Sequence, residues 1–295
     1  MSVTKVQWLS SDPTMFEVDW LNYLFSGVEG QIEIYFNASE VKTDKNTVLI
    51  CNHAVPYREV LDKLRHNGKK YILVSLSDEN LIDPCEWLHD PHCTKSFRNY
   101  IHPALIKHPK VTTFGLGYKR GLQNYVNSIK VERDAIWCFA GTPHGERAVM
   151  LSLFKDLTPN KTHCCSGFDA KDGLETQEYT KMLKQSKYAL CPPGQDSMDS
   201  FRLYEALEAG CVPVTLKYSN QFKIYPSYWH GIFYGEYDLP FIIEDSWEDC
   251  INTIKNMSES EFLKRQKECT ALWNKWKTVW KNEITKSCSN LFKDL

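Results

Sequence analysis

Residues 189–216 read ALCPPGQDSMDSFRLYEALEAGCVPVTL, and the side chains there that could do chemistry are Ser200, Arg202 and Glu205. Their spacing predicts a helix that starts near Asp199–Ser200 and stops at Gly210. Arg202 then falls on the first turn, where unpaired N–H groups already carry partial positive charge. A fixed cation is unfavourable there unless an anion binds, and a diphosphate would reverse the sign of that argument. Ser200 can cap the helix or offer its hydroxyl to the same anion. Glu205 lies one turn on, on the same helical face, and a carboxylate there can accept paired sugar hydroxyls. The plainer alternative is an Arg202–Glu205 ion pair on a solvated face. The apolar neighbours Leu203, Ala206 and Leu207 argue instead for a packed helix.

Such a helix needs a strand and a loop to aim it. KYALCPPG supplies both: a strand, then Pro192, Pro193 and Gly194 beyond its carboxyl end, where open α/β sheets bind ligands. The same alternation runs through the second half of the chain. AIWCFAG, KTHCCSGF, KYALC and CVPVTL read as strands, and GERAVMLSLFKDL, TQEYTKMLKQS and SFRLYEALEAG as helices. In the first half KVQWLS, IEIYFN, NTVLICNH, KYILVSLSDE and VTTFGLG read as strands, with helices at MFEVDWLNYLFSG and YREVLDKLRHNG. Residues 121–134 are polar and linker-like. Residues 246–292 read as helical throughout, with Trp273, Trp276 and Trp280 at helical spacing as packing residues. The fold class is α/β. Three segments are expected: 1–125 and 126–250 as two Rossmann-like lobes, and 251–295 as a helical tail packing across them.

Composition narrows the function classes. The chain has 295 residues, 42% hydrophobic and 24% charged, with a formal net charge of −2. That is globular, and it lacks the basic field of a nucleic-acid binder. Nine Trp, fifteen Tyr and fourteen Phe can fill cores and also stack on sugar rings. Eleven scattered cysteines without a CxxC pair read as reduced, mostly buried thiols. No signal-peptide core or long apolar run is visible, which suggests a cytoplasmic protein without a membrane anchor. No GxGxxG follows any strand, which argues against a nicotinamide dehydrogenase. There is no Asp-x-Asp, and HDPHC at 89–93 reads as a turn at Asp90–Pro91 rather than a metal cluster.

The block around Arg202 resembles the signature of exostosin-like glycosyltransferases: strand, P-x-G, S-x-R-x-x-E-A, then G-C-x-P-V. The matching residues are Pro193, Gly194, Ser200, Arg202, Glu205, Ala206, Gly210, Cys211, Pro213 and Val214. RDAIWCFAGTPHGERAVMLSLF is similar to the opening of the family's donor lobe, with Gly141 and Arg147 in register. FRNYIHPALIKHPKVTTFGLGYKRG, more weakly, resembles the end of its acceptor lobe. The likeness covers about residues 97–280, and residues 1–70 match nothing.

The resemblance implies a GT-B fold, in which two Rossmann-like lobes face a cleft and the C-terminal lobe holds the nucleotide sugar. It implies an inverting enzyme that moves a sugar from a UDP-sugar to a hydroxyl of a glycan acceptor, UDP-xylose or another UDP-hexose or uronate being possible donors. The short chain looks like the compact, anchor-less relatives of bacteria and large algal viruses. The alternative is an inactive carbohydrate- or nucleotide-binding protein on the same fold. The donor site expected on this basis comprises Gly141, Arg147, Pro193, Gly194, Ser200, Phe201, Arg202 and Glu205, with HCCSGFDA walling the base pocket. No metal and no cofactor beyond the UDP-sugar co-substrate are implied. A single displacement also needs a general base from a loop of the first lobe. Asp78 or Glu79, ending YILVSLSDEN, is one choice and His53 the other. Asp78 could equally cap the next turn, and His53 could bond locally.

Overall fold

The computed structural model describes residues 5–52, 54–167, 170–218 and 227–293. The chain divides into two compact units, one of residues up to Gly115 joined by those from Lys277 on, the other Leu116–Trp276.

The first unit holds six parallel strands: β1 (Val6–Leu9), β2 (Ile32–Tyr35), β3 (Thr47–Asn52), β4 (Tyr71–Leu76), β5 (Cys93–Arg98) and β6 (Val111–Thr113). Their order is β2-β1-β3-β4-β5-β6. The central strands TVLICN and YILVSL are near-continuous apolar runs because helices and loops cover both faces. Helix α1 (Val18–Phe25) buries Trp20, Leu21, Leu24 and Phe25. Helix α2 (Tyr57–His66) buries Val60, Leu61 and Leu64 and stops before Gly68, as its pattern predicts. Within this unit the strand absent from the sequence reading is β5. Its CTKSFR is diluted by Lys95, Ser96 and Arg98, and the arginine is fully buried through an ion pair that no local pattern announces.

The second unit holds five parallel strands: β7 (Ala135–Gly141), β8 (Asn160–Cys164), β9 (Ser186–Leu190), β10 (Val212–Leu216) and β11 (Ile242–Glu244). The order is β11-β10-β9-β7-β8. Its helices are α3 (Leu122–Val126), α4 (Glu146–Phe154), α5 (Thr176–Lys184), α6 (Phe201–Glu208), α7 (Tyr228–Ile232), α8 (Trp247–Asn256) and the start of α9 (Glu259–Lys293).

Residues 121–134 are not a free linker, because Leu122 and Val126 are buried and tie the segment to the second unit. A five-residue helix is too short for its periodicity to show in the sequence. The helical tail contributes residues to both units. Trp273 lies against Tyr204, and Trp276 against Phe233, within the second unit, while Trp280 meets Trp20 edge-on within the first.

In each sheet the chain steps outward from one strand and then returns to that strand's other side. The reversal falls between β1 and β3, and between β7 and β9, so both units are Rossmann-like. The crevice beyond the carboxyl ends at such a reversal is where these sheets take ligands. All eleven cysteines are free thiols, and only Cys164 is exposed. No helix among the described residues is long and apolar enough to cross a membrane.

Candidate functional site

The reversal between β7 and β9 gathers most of the residues singled out in the sequence. Strand β7 ends at Gly141. Helix α6 starts beyond the loop that leaves β9, and its Arg202 reaches across to β7. There Nε donates to the Ala140 carbonyl at 2.8 Å, and the guanidinium lies 5.3 Å from the centre of the Phe139 ring. That one bond uses Nε alone. Among the described residues no carboxylate lies within ion-pairing distance of Arg202, whose charge acts on the buried Glu205 carboxylate only from farther off.

Gly141 makes this approach possible. Its φ of +150° is open to glycine, and a Cβ there would overlap the Arg202 guanidinium. Gly141→Ala is therefore expected to push Arg202 off the strand end. Strain of roughly 1–3 kcal/mol should lower the melting temperature, which a melting curve measures.

Arg147, buried on the first turn of α4, donates from Nη2 at 2.8 Å and Nε at 3.3 Å to the Pro193 carbonyl. It fastens the loop after β9 to the helix after β7, so it positions Gly194 and the approach to α6. Ser200 is the N-cap of α6 with extended backbone, yet its side chain makes no capping bond. Its Oγ is buried without a hydrogen-bond partner. A buried hydroxyl left unbonded costs stability and is open to a ligand oxygen. Phe201 is the half-buried first residue of the same helix.

Glu205 does not pair with Arg202. It is 3% exposed, with Oε2 accepting from the Tyr179 hydroxyl at 2.8 Å and Oε1 from the Lys119 N–H at 3.2 Å. Burial raises its pKa, and the Tyr179 bond opposes that rise. Through these bonds Glu205 braces α5 and the 116–121 segment against α6.

A second brace has no sequence signal. Asp199, 1% exposed, accepts from the hydroxyls of Tyr204 at 2.9 Å and Tyr228 at 3.1 Å, fixing the residue before the N-cap. Tyr204 lies five positions on and Tyr228 some thirty, and only the fold brings them to one carboxylate. In the HCCSGFDA stretch the Thr142 hydroxyl and Cys165 thiol are 3.9 Å apart beside Gly141, and residues 168–169 lie outside the described part.

The base expected on the first unit needs correction. Asp78 is 1% exposed, and its Oδ2 pairs at 2.8 Å with Nη2 of Arg98, which is fully buried. Its Oδ1 accepts from the N–H groups of Ile82 and Asp83 at 2.9 and 3.3 Å. It caps the turn after β4 and has no proton-accepting face turned to solvent. Glu79 is half-buried within that turn. His53 lies outside the described residues. Asp90 accepts from the Tyr71 hydroxyl at 2.5 Å and the His92 N–H at 2.8 Å, the turn expected at Asp90–Pro91.

A family model, the exostosin GT47 domain, matches residues 94–245, just over half of the chain and all of the β7/β9 reversal. The chain belongs to this glycosyltransferase family. An Arabidopsis thaliana protein described as a probable glycosyltransferase is 33% identical over 87 residues, 29% of this chain and 17% of the plant protein. The fold resembles an α1,3-fucosyltransferase with a TM-score of 0.52, at 10% identity over 89% of this chain and 81% of that one. An α,α-trehalose 6-phosphate synthase from Burkholderia multivorans gives 0.53, at 10% identity over 92% and 77%. At such identity these likenesses speak for the fold alone, and the fold is GT-B. In this GT47 chain the family match begins at residue 94, within β5, so most of the first unit falls outside it.

Proposed function

We propose that this chain is an inverting, metal-independent glycosyltransferase that moves a sugar from a UDP-sugar to a hydroxyl of a glycan acceptor. The carrying observation is Arg202, whose Nη groups are left without an acidic partner at the start of α6 while Nε anchors them to the end of β7. In a displacement at the anomeric carbon the leaving diphosphate gains charge. Preorganised donors aimed at it stabilise the transition state more than the ground state. Arg202, the Ser200 hydroxyl and the first N–H groups of α6 are such donors, and Arg147 holds the loop around them. Their positive charge supports a mechanism without a divalent cation, with UDP-xylose or another UDP-hexose or uronate as donor and no further cofactor.

UDP at a hundred times its dissociation constant is expected to stabilise the protein by about 2.7 kcal/mol, and NAD is expected to do nothing. A screen of UDP-xylose, UDP-glucose, UDP-galactose, UDP-glucuronate and UDP-N-acetylglucosamine should show UDP release with at least one donor, unchanged by EDTA. No protection by UDP and no release from any donor would refute the reading. Loss in EDTA with recovery in Mn²⁺ would refute metal independence.

A further inference from the structure

With Asp78 committed to Arg98, the proton acceptor has to be sought elsewhere on the first unit. The loop leaving β1 at the β1/β3 reversal is tightly built. The Ser10 N–H donates to the Tyr35 carbonyl at 2.9 Å, Asp12 Oδ1 accepts from the N–H and hydroxyl of Thr14 at 2.8 and 2.7 Å, and Met15 is buried with φ +53°. This turn delivers Glu17 to the start of α1, where its side chain makes no capping bond. Instead Oε1 accepts a long hydrogen bond, 3.4 Å, from Asn99 Nδ2.

Asn99 is 1% exposed, and its orientation is fixed because Oδ1 accepts from the Ser77 N–H at 2.9 Å. The start of α1 and the residues just beyond β4 and β5 thus meet at one half-buried carboxyl group. The register supports this, since Leu9, Cys51, Ser75 and Arg98 share a row across the sheet and the residues after them form the rim.

The contrast with Asp78 is electrostatic. Among the described residues no Lys, Arg or His nitrogen lies within 4 Å of Glu17. Its polar partner is a neutral amide, the charged group that acts on it is the Asp12 carboxylate on its own loop, and Arg98 on the β5 side is turned into Asp78. Burial first, and Asp12 second, push the Glu17 pKa up to about 7. A base with that affinity is suited to take a hydroxyl proton near neutrality.

We propose that Glu17 is the general base that receives the acceptor hydroxyl's proton, an inference that rests on the transferase reading above. The O–H bond breaks toward Glu17 as the oxygen bonds to the anomeric carbon, and the carbon–oxygen bond to the diphosphate breaks with its electrons leaving on UDP. The proton stays on Glu17 until solvent removes it.

The test compares wild type, Glu17→Gln and Glu79→Gln for UDP release with the active donor, for UDP protection, and for melting across pH 5–9. Glu17→Gln should keep UDP protection and lose about 10²–10⁴-fold in turnover. The wild-type profile should rise with pH through about 7, because only the carboxylate accepts a proton, and this limb should be missing in the residual activity of the variant. Stability separates the base from a structural residue. A carboxyl whose pKa is raised from 4.5 to about 7 on folding contributes stability below pH 4.5 that is lost as pH rises through 7. Glu17→Gln should therefore melt higher than wild type at pH 8, with the gap closing toward pH 5. Turnover within threefold of wild type in Glu17→Gln, or the large loss appearing in Glu79→Gln instead, would overturn the assignment while leaving the transferase reading intact. Wild type that releases no UDP from any donor would overturn both.

Discussion

Arg202→Ala is expected to reduce sugar transfer by about 10²–10³-fold, roughly 2.7–4 kcal/mol of transition-state stabilisation, with little loss of fold. The two effects separate because the side chain divides its labour. Toward the protein it offers one Nε bond to the Ala140 carbonyl and a face to Phe139, together worth about 1–2 kcal/mol. Toward the ligand it offers two Nη groups and a full charge. Arg202→Lys should recover little, since an ammonium cannot hold Ala140 through Nε and still present a planar fork. Steady-state transfer, UDP affinity and melting of the three proteins decide it. A melt within a few degrees of wild type with turnover collapsed is the expected result. Turnover within threefold of wild type would remove the phosphate role from Arg202.

The arrangement at the β7/β9 reversal was legible because its determinants are local. A strand, a Pro-Gly loop and a helix fix where Arg202 must stand, and a cation at a helix N-terminus calls for an anion whatever the rest of the fold does. Gly141 and Arg147 were readable for the same reason, since one ends β7 and the other follows it within a few residues. What the local pattern could not give is direction. Arg202 and Glu205 share a helix face, yet one reaches to β7 and the other is enclosed by Tyr179 and the Lys119 backbone. The first unit was legible as strands and helices but not as a site. Asp78 looked available because its partner, Arg98, sits twenty residues on in a strand too polar to recognise. Glu17 read only as part of an amphipathic helix, because the groups that make it unusual come from the ends of β4 and β5.

The largest effect on stability is expected at the Asp78–Arg98 pair. Arg98 is fully buried, with Nε donating to the Tyr100 carbonyl at 3.1 Å and Nη2 bound to Asp78 at 2.8 Å. Asp78→Asn keeps the shape but leaves the guanidinium charge uncompensated, at a cost of about 3–5 kcal/mol. That is a large part of the roughly 5–15 kcal/mol that holds a domain folded. Arg98→Met strands the carboxylate, but its two backbone N–H donors soften the loss, so the effect should be somewhat smaller. The double variant should recover most of the stability, because no buried charge is then left unpaired. Chemical denaturation of the four proteins measures the cycle. Its kinetic counterpart separates structure from catalysis: below its melting range Asp78→Asn should still bind UDP and release it from the donor within a few-fold of wild type. A variant that melts like wild type yet loses transfer 10²-fold or more would return the base to Asp78. The cation buried beside Asp78, which leaves it no face for an acceptor hydroxyl, argues for the opposite outcome.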